Sequence, residues 1–256
     1  VTFQTFIYIF PENKKFSMQA TSREPGKERQ LLILMKGLPG SGKSTLAAAL
    51  ARALRCPLVD KDDARDTFQT VVRQAPDIDW NALSYDVMFR TAARQLALGL
   101  SVVLDCPLSR RQLYEQACEV AARCSNSSAI AGVRTTAATA RATVPASPPP
   151  PPSPLAAPPP AAAPTSVLVV LVDVECSDEV VWRQRLEARG ALDQGTERGH
   201  KPASWDELQA LLSRYGGSWR WSTDGSVEVP YRVPVCTATA SVGDNVGVVL
   251  EYLQRT

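Results

Sequence analysis

Histidine is almost absent from this 256-residue chain, in which His200 stands alone. The six cysteines (Cys56, Cys106, Cys118, Cys124, Cys176 and Cys236) form no CxxC pair. Zinc needs sulfur and imidazole ligands grouped at short spacing, so a structural zinc is not expected. Thiols this scattered point to a reducing, cytoplasmic setting. No apolar run reaches the roughly 18–20 residues needed to span a bilayer. A surplus of one charge is also lacking: 28 Lys and Arg face 26 Asp and Glu, a net +2, so bulk charge argues neither for nor against nucleic acid. The first residue is not methionine. The opening "VTFQTFIYIF" is apolar, but no basic stretch precedes it and no clear cleavage site follows, so it fits a signal peptide poorly. Residues 1–29 are expected to form a disordered leader, with Met18 as a candidate start and organelle targeting as the alternative.

Proline is plentiful but concentrated. "RATVPASPPPPPSPLAAPPPAAAPTS", Arg141 to Ser166, holds 11 of the 20 prolines. Proline fixes φ and lacks an amide donor, so this stretch excludes helix and sheet. Together with the aperiodic text upstream it makes residues 125–166 one disordered insertion. An SH3-like partner for its polyproline segment is one reading; a passive spacer is the other.

Outside that insertion, strand and helix signals alternate. "LLILMK" (Leu31–Lys36), "PLVD" (Pro57–Asp60), "SVVLD" (Ser101–Asp105), "VLVVLVDVE" (Val167–Glu175) and "YRVPVCT" (Tyr231–Thr237) read as strands. Helices are expected from Ser44 to Leu54, from Trp80 to Leu98, from a cap at Ser109 to about Arg123, from a cap at Ser177 to Ala188, behind a Ser204–Glu207 capping box, and around Val246 to Leu253. This alternation predicts one α/β domain over 30–124 and 167–256, with a mostly parallel sheet, helices on both faces and ligands beyond the strands' carboxyl ends.

At the first such end stands "GLPGSGKST". Gly37, Leu38, Pro39, Gly40, Ser41, Gly42, Lys43, Ser44 and Thr45 satisfy G-x-x-x-x-G-K-[ST] between a strand and a helix. Glycines let the backbone wrap an anion, and the helix start adds the positive end of its dipole. Lys43 is placed for the β- and γ-phosphates of a nucleoside triphosphate, and Ser44 for Mg²⁺.

The reaction must be read elsewhere. "VDKDDARDTF" offers Asp62 and Arg65 as base and clamp for an acceptor hydroxyl, with Asp60, Asp63 and Asp66 as rivals and a solvated acidic loop as the alternative. Asp105 ends a buried strand and suits the Mg²⁺ water shell; the second acid common in ATPases is missing, which weakens a motor or AAA-type reading. Arg110 and Arg111 could meet substrate or simply face water. Arg185 and Arg189, four apart on one helix face, could close over phosphate or form a surface charge row. Gly190, Gly195 and Gly199 after them suit a lid, which His200 and Lys201 close.

With these motifs quoted, the chain resembles the P-loop kinase family that includes polynucleotide 5′-hydroxyl kinase, gluconate kinase, chloramphenicol phosphotransferase and zeta-toxin-like proteins. "DKDDARD" is similar to the DxxR element of the polynucleotide kinases and "RLEARG" to the family's lid. "SYDVMFRTAARQLALGLSVVLDCPLSRR" and "HKPASWDELQALL" look closest to plant members of this group. The resemblance spans about 31–123 and 167–256. It implies a three-layer P-loop NTPase fold with strand order 2-3-1-4-5, ATP and Mg²⁺ as cofactors, Asp62 as base, Arg65 on the acceptor, Arg185 and Arg189 as lid arginines, and adenine near Thr237–Ser241. The expected activity is transfer of the γ-phosphate to a hydroxyl of a small molecule or nucleic acid. The alternative is a nucleotide-binding module or slow hydrolase that acts with a partner.

Overall fold

The computed structural model describes residues 29–69, 71–127, 166–193 and 201–256. The leader over 1–28, the insertion over 128–165, and Gly195, Gly199 and His200 lie outside the described residues. Five strands, β1 (Gln30–Lys36), β2 (Leu58–Asp60), β3 (Val102–Asp105), β4 (Val167–Glu175) and β5 (Arg232–Cys236), form one sheet in the order β2-β3-β1-β4-β5. All four pairings are parallel. Order and direction are those expected from the resemblance.

Alternation along the central strand builds the two cores. Leu32 and Leu34 of β1 face one side, and there pack with helices α3 (Trp80–Ala97) and α4 (Arg111–Ser127) through Met88, Phe89, Ala92 and Ala117. Ile33 and Met35 face the other, against α1 (Lys43–Leu54) and α7 (Val242–Arg255) through Leu46, Leu50 and Val249. A strand apolar on both faces can only be a buried parallel one. Helices α2 (Lys61–Phe68), α5 (Glu179–Asp193) and α6 (Trp205–Tyr215) gather near the carboxyl ends of the strands.

Several local expectations change. The acids after β2 are not a loop but helix α2, capped by the Asp60 carboxylate, which accepts from the Asp62 amide at 2.8 Å. Its short, charged text lacks an apolar stripe, and Lys61 is its one buried residue. Helix α4 begins at Arg111, so Ser109 falls short of the cap position. In α5 the cap is Asp178, accepting from the Val181 amide at 3.1 Å, rather than Ser177. The Ser204 cap is present, but Glu207 reaches the Ala203 amide, one residue earlier than a capping box requires. Helix α4 also continues past the expected insertion boundary, to Ser127.

Where β1 and β4 end, a buried ionic cluster locks the sheet. Lys36 pairs in register with Asp173 and bonds it at 2.9 Å. Arg232 of β5 and the Ser222 hydroxyl take the other carboxylate oxygen, both at 2.8 Å. Burial works against the Asp173 charge, but Lys36 and its other donors outweigh that and hold its pKa below the usual range. Trp221 beside this cluster donates to the Leu108 carbonyl at 2.9 Å, pinning a residue whose φ is +46°. Removing one member of a buried ion pair strands the other, typically at about 3–5 kcal/mol. Asp173→Asn is expected to lower stability by about that amount in denaturant melts at neutral pH, and Asp173→Leu with Lys36→Met by clearly less. A loss for the single variant below about 1 kcal/mol would contradict this account.

Candidate functional site

The loop after β1 bends back over the sheet edge through two left-handed glycines, Gly40 (φ +81°) and Gly42 (φ +86°). A side chain at Gly40 would also meet the Trp182 indole at 3.0 Å. That indole, on α5, donates to the Pro39 carbonyl at 2.7 Å. From the other flank Thr237, just past β5, donates its hydroxyl to the Ser41 carbonyl at 2.7 Å. The loop is therefore held from two sides, with the first-turn amides of α1 left for an outside acceptor.

Lys43 forms an ion pair with Asp105 at the floor of the loop. Burial works against the Lys43 charge, yet Asp105 more than offsets it, so the pKa of Lys43 is raised. Register places Asp60 of β2 directly beside Asp105 of β3. Burial and then the Asp105 charge push the Asp60 carboxyl up to about 6. The second oxygen of Asp105 and the Ser41 hydroxyl are buried without a partner among the described residues. An orphaned carboxylate oxygen, a second carboxylate beside it and the exposed Ser44 hydroxyl make an oxygen set that suits a hard, partly hydrated cation such as Mg²⁺.

These groups open into one cleft of about 1010 Å³. All of Gly37 to Thr45 line it, with Thr237, Ala240, Ser241 and Asn245 at one end. Asp62, Lys61 and Asn81 stand on its walls, as do Arg185, Arg189, Lys201 and Arg214. Arg185 is fixed by two bonds to Thr237, to the hydroxyl at 2.9 Å and to the carbonyl at 3.0 Å. Arg189 donates to the Pro202 carbonyl at 2.5 Å.

Residues 32–146 match a family described as an AAA domain. No curated protein sequence matches the chain significantly. Among solved structures, a candidate kinase from Chloroflexus aurantiacus aligns over 90% of this chain and 98% of its own, at 19% identity and a TM-score of 0.52. A gluconokinase from Sinorhizobium meliloti aligns over 89% and 94%, at 18% identity and a TM-score of 0.45. A sugar kinase from Janibacter aligns over 89% and 95%, at 15% and 0.48. The chain has the fold of the P-loop NTPases. The matched residues include the P-loop and both strands β2 and β3.

Within this P-loop domain the sequence-derived residues divide. Lys43, Ser44, Asp62, Arg185 and Arg189 share the cleft, and Asp105 lies beneath it. Arg65 is not on its wall: the side chain runs along α2 to the Gln69 amide oxygen at 3.5 Å. Arg111 pairs with Glu115 on the exposed face of α4, and Arg110 is exposed beside it. Gly190 is no hinge: it lies buried inside α5, where a side chain would strike the Ala203 backbone. The sequence reading missed Trp182, Thr237 as a clamp, and Lys61, whose burial depends on α3 and leaves no local trace. Asp60, in the sequence only a rival base, lies in register with Asp105 and sets a second carboxylate beside it.

Because the folded Asp60 pKa lies above its unfolded value, its stabilising contribution is present at acid pH and lost as pH rises through about 6. Asparagine caps helices as well as aspartate does. Asp60→Asn is therefore expected to leave stability unchanged near pH 4 and to raise it by about 1–3 kcal/mol at pH 7.5, in denaturant melts without nucleotide or metal. Equal stability of the two proteins at both pH values would refute the assigned environment.

Proposed function

We propose that the protein is an ATP- and Mg²⁺-dependent phosphotransferase that moves the γ-phosphate to an acceptor hydroxyl. One observation carries this reading: a carboxylate, Asp62, shares a single cleft with the P-loop and its lysine. A binding module has no need of a fixed carboxylate in that cleft, and a hydrolase would use one to orient water rather than an acceptor hydroxyl, a difference that acceptor dependence reads out. Ser44 and Asp105, with Asp60 in register beside it, would hold magnesium, which would supply charge neutralisation for the triphosphate when bound.

The chain's own groups do the rest. Loop amides, Lys43 and the Ser41 hydroxyl bind the triphosphate. Arg185 and Arg189 stand at the cleft wall with donors to spare, since a guanidinium has five. They face charge that grows on the transferred group. Asp62 bonds Lys61 through one oxygen at 2.7 Å and Lys201 through the other at 2.8 Å. Phosphoryl transfer asks mainly for orientation, and a strong base is not required. The acceptor oxygen bonds to phosphorus, the bridge to the β-phosphate breaks, ADP leaves, and the hydroxyl proton passes to Asp62 or to water.

Adenine is assigned to the end lined by Ala240, Ser241 and Asn245. The six free thiols favour a reducing compartment such as the cytoplasm. No helix among the described residues is long and apolar enough to cross a membrane. An SH3-like partner for the proline tract rests on composition alone.

The test is ATP consumption against a panel of hydroxyl acceptors. Lys43→Ala is expected to abolish turnover. Asp62→Asn should cut acceptor-dependent turnover by about 10²–10³, the usual worth of a group acting on the transition state. Acceptor-independent hydrolysis that survives Asp62→Asn at within threefold of wild type would replace the kinase reading with the hydrolase or binding module.

A further inference from the structure

Lys61 is a lysine out of place. It is 5% exposed at the first position of α2, yet the cleft reaches it. Its ammonium bonds Asp62 at 2.7 Å and the Asn81 amide oxygen at 3.3 Å, and lies 5.5 Å from the Tyr85 ring centre. An ammonium has three donors. The third has no partner among the described residues.

Its counter-charge among the described residues is also shared. Asp62 carries Lys201 on its other oxygen, so two ammonium groups divide one carboxylate. Arg189 is close enough for Asp62 to act on its charge as well. Further along the same wall Arg214 is exposed and has no partner among the described residues. The acid nearest to it on the wall's own helix, Glu207, is committed to the Ala203 amide at 2.7 Å. Buried charges persist when paired, and half-paired ones destabilise the fold. A lysine kept for packing would be fully matched, or replaced by an apolar chain of equal length.

The triphosphate does not account for this surplus. Lys43 and Arg185 lie against the P-loop, through Asp105 and Thr237, whereas Lys61 and Lys201 bond Asp62, with Asn81 and Arg189 near them, where the acceptor belongs if the phosphotransferase reading, on which this inference rests, is right. We propose that Lys61, with Lys201, anchors an oxyanion of the acceptor itself, so that the acceptor is a small molecule bearing a carboxylate or phosphate besides the hydroxyl that Asp62 orients. Size argues for a small molecule: the whole cleft, nucleotide end included, is about 1010 Å³, at the top of the range for sites that hold one or two small ligands.

The experiment is thermal melting of the full chain with saturating AMPPNP and Mg²⁺, which fills the P-loop, at constant ionic strength. The probes are D-glucose, D-gluconate, D-glucose 6-phosphate, inorganic phosphate and a 5′-hydroxyl oligonucleotide. At least one small oxyanion is expected to raise the melting temperature of the loaded wild type by about 2–4 °C while glucose does not; gluconate against the phosphates tells which oxyanion is preferred. Lys61→Met should lose that shift. Lys201→Met, whose side chain is less buried, should lose most of it and serves if Lys61→Met does not fold. No shift with any small anion, equal shifts with glucose, shifts that both variants retain, or a larger shift with the oligonucleotide each overturn the proposal. The two readings fail separately: no shift from AMPPNP itself removes the nucleotide site and the acceptor proposal with it, whereas an AMPPNP shift without an anion shift removes the acceptor proposal alone.

Discussion

The ion pair between Lys43 and Asp105 depends on strand order, and the site depends on the ion pair. Neighbouring strands lie about 4.8 Å apart. Because β3 is next to β1, the acid that ends β3 lies in register with Met35, one residue before the strand that carries the P-loop ends. In a sheet ordered 1-2-3, that acid would be about one strand spacing further away, beyond contact with the lysine. The same crossover puts β2 on the far side of β3 and so sets Asp60 against Asp105. One topological choice therefore brings both carboxylates together and keeps the half-buried Lys43 charged. It is also unfavourable on its own: two acids and one cation in a desolvated floor leave Asp60 partly protonated near pH 6. A divalent cation would relieve that repulsion, as a hard ion prefers clustered oxygen ligands.

The other half of the site is tied down from β4 and β5. Thr237 bonds the loop through Ser41 and receives Arg185, and Trp182 bonds the loop through Pro39 and packs edge-on against Trp205 of α6 at 5.3 Å. Loop, arginine-bearing helix and α6 thus form one connected unit. A displacement of the loop by a bound phosphate chain has to be transmitted to α5, and through α5 to the wall that carries Lys201 and Arg214. The geometry couples the P-loop to the wall around Asp62 by direct contacts, with no need for a long relay.

Much of this was legible in the sequence, for identifiable reasons. The P-loop is read from glycine positions, because backbone chemistry is written directly in residue type. The sheet follows from runs such as "VLVVLVDVE", which have no alternative to burial on both faces. What escaped depended on tertiary partners. "KDDARDTF" reads as a polar loop because its helix buries only a lysine, the inverse of an amphipathic pattern. Ser109 and Ser177 look like caps, but the chain enters each helix one residue later, and a local rule cannot sense the entry angle. Arg65 fits the DxxR spacing, yet three residues further round α2 its side chain meets Gln69, and the cation beside Asp62 is the preceding residue instead. Spacing says which residues are one turn apart; it does not say which way the helix is turned.

The connection between α4 and β4 shows where such a fold tolerates length. It leaves after α4 and returns at β4, at the strands' amino ends, opposite the cleft. Its two ends are stitched to the domain at almost one point: the Val167 amide donates to the Ser125 hydroxyl at 3.0 Å, and the Gln30 amide to the Ser166 carbonyl at 3.2 Å. Closure is thereby made by the domain's own atoms, whatever lies between. The entropy of closing a loop grows only with the logarithm of its length, about 0.6 kcal/mol for each doubling. A short connection between α4 and β4 could lengthen several-fold at a cost smaller than one buried hydrogen bond left unmade. The same text placed between β1 and α1 would separate the glycines from the helix start they serve, and no entropy argument could rescue the phosphate cradle there.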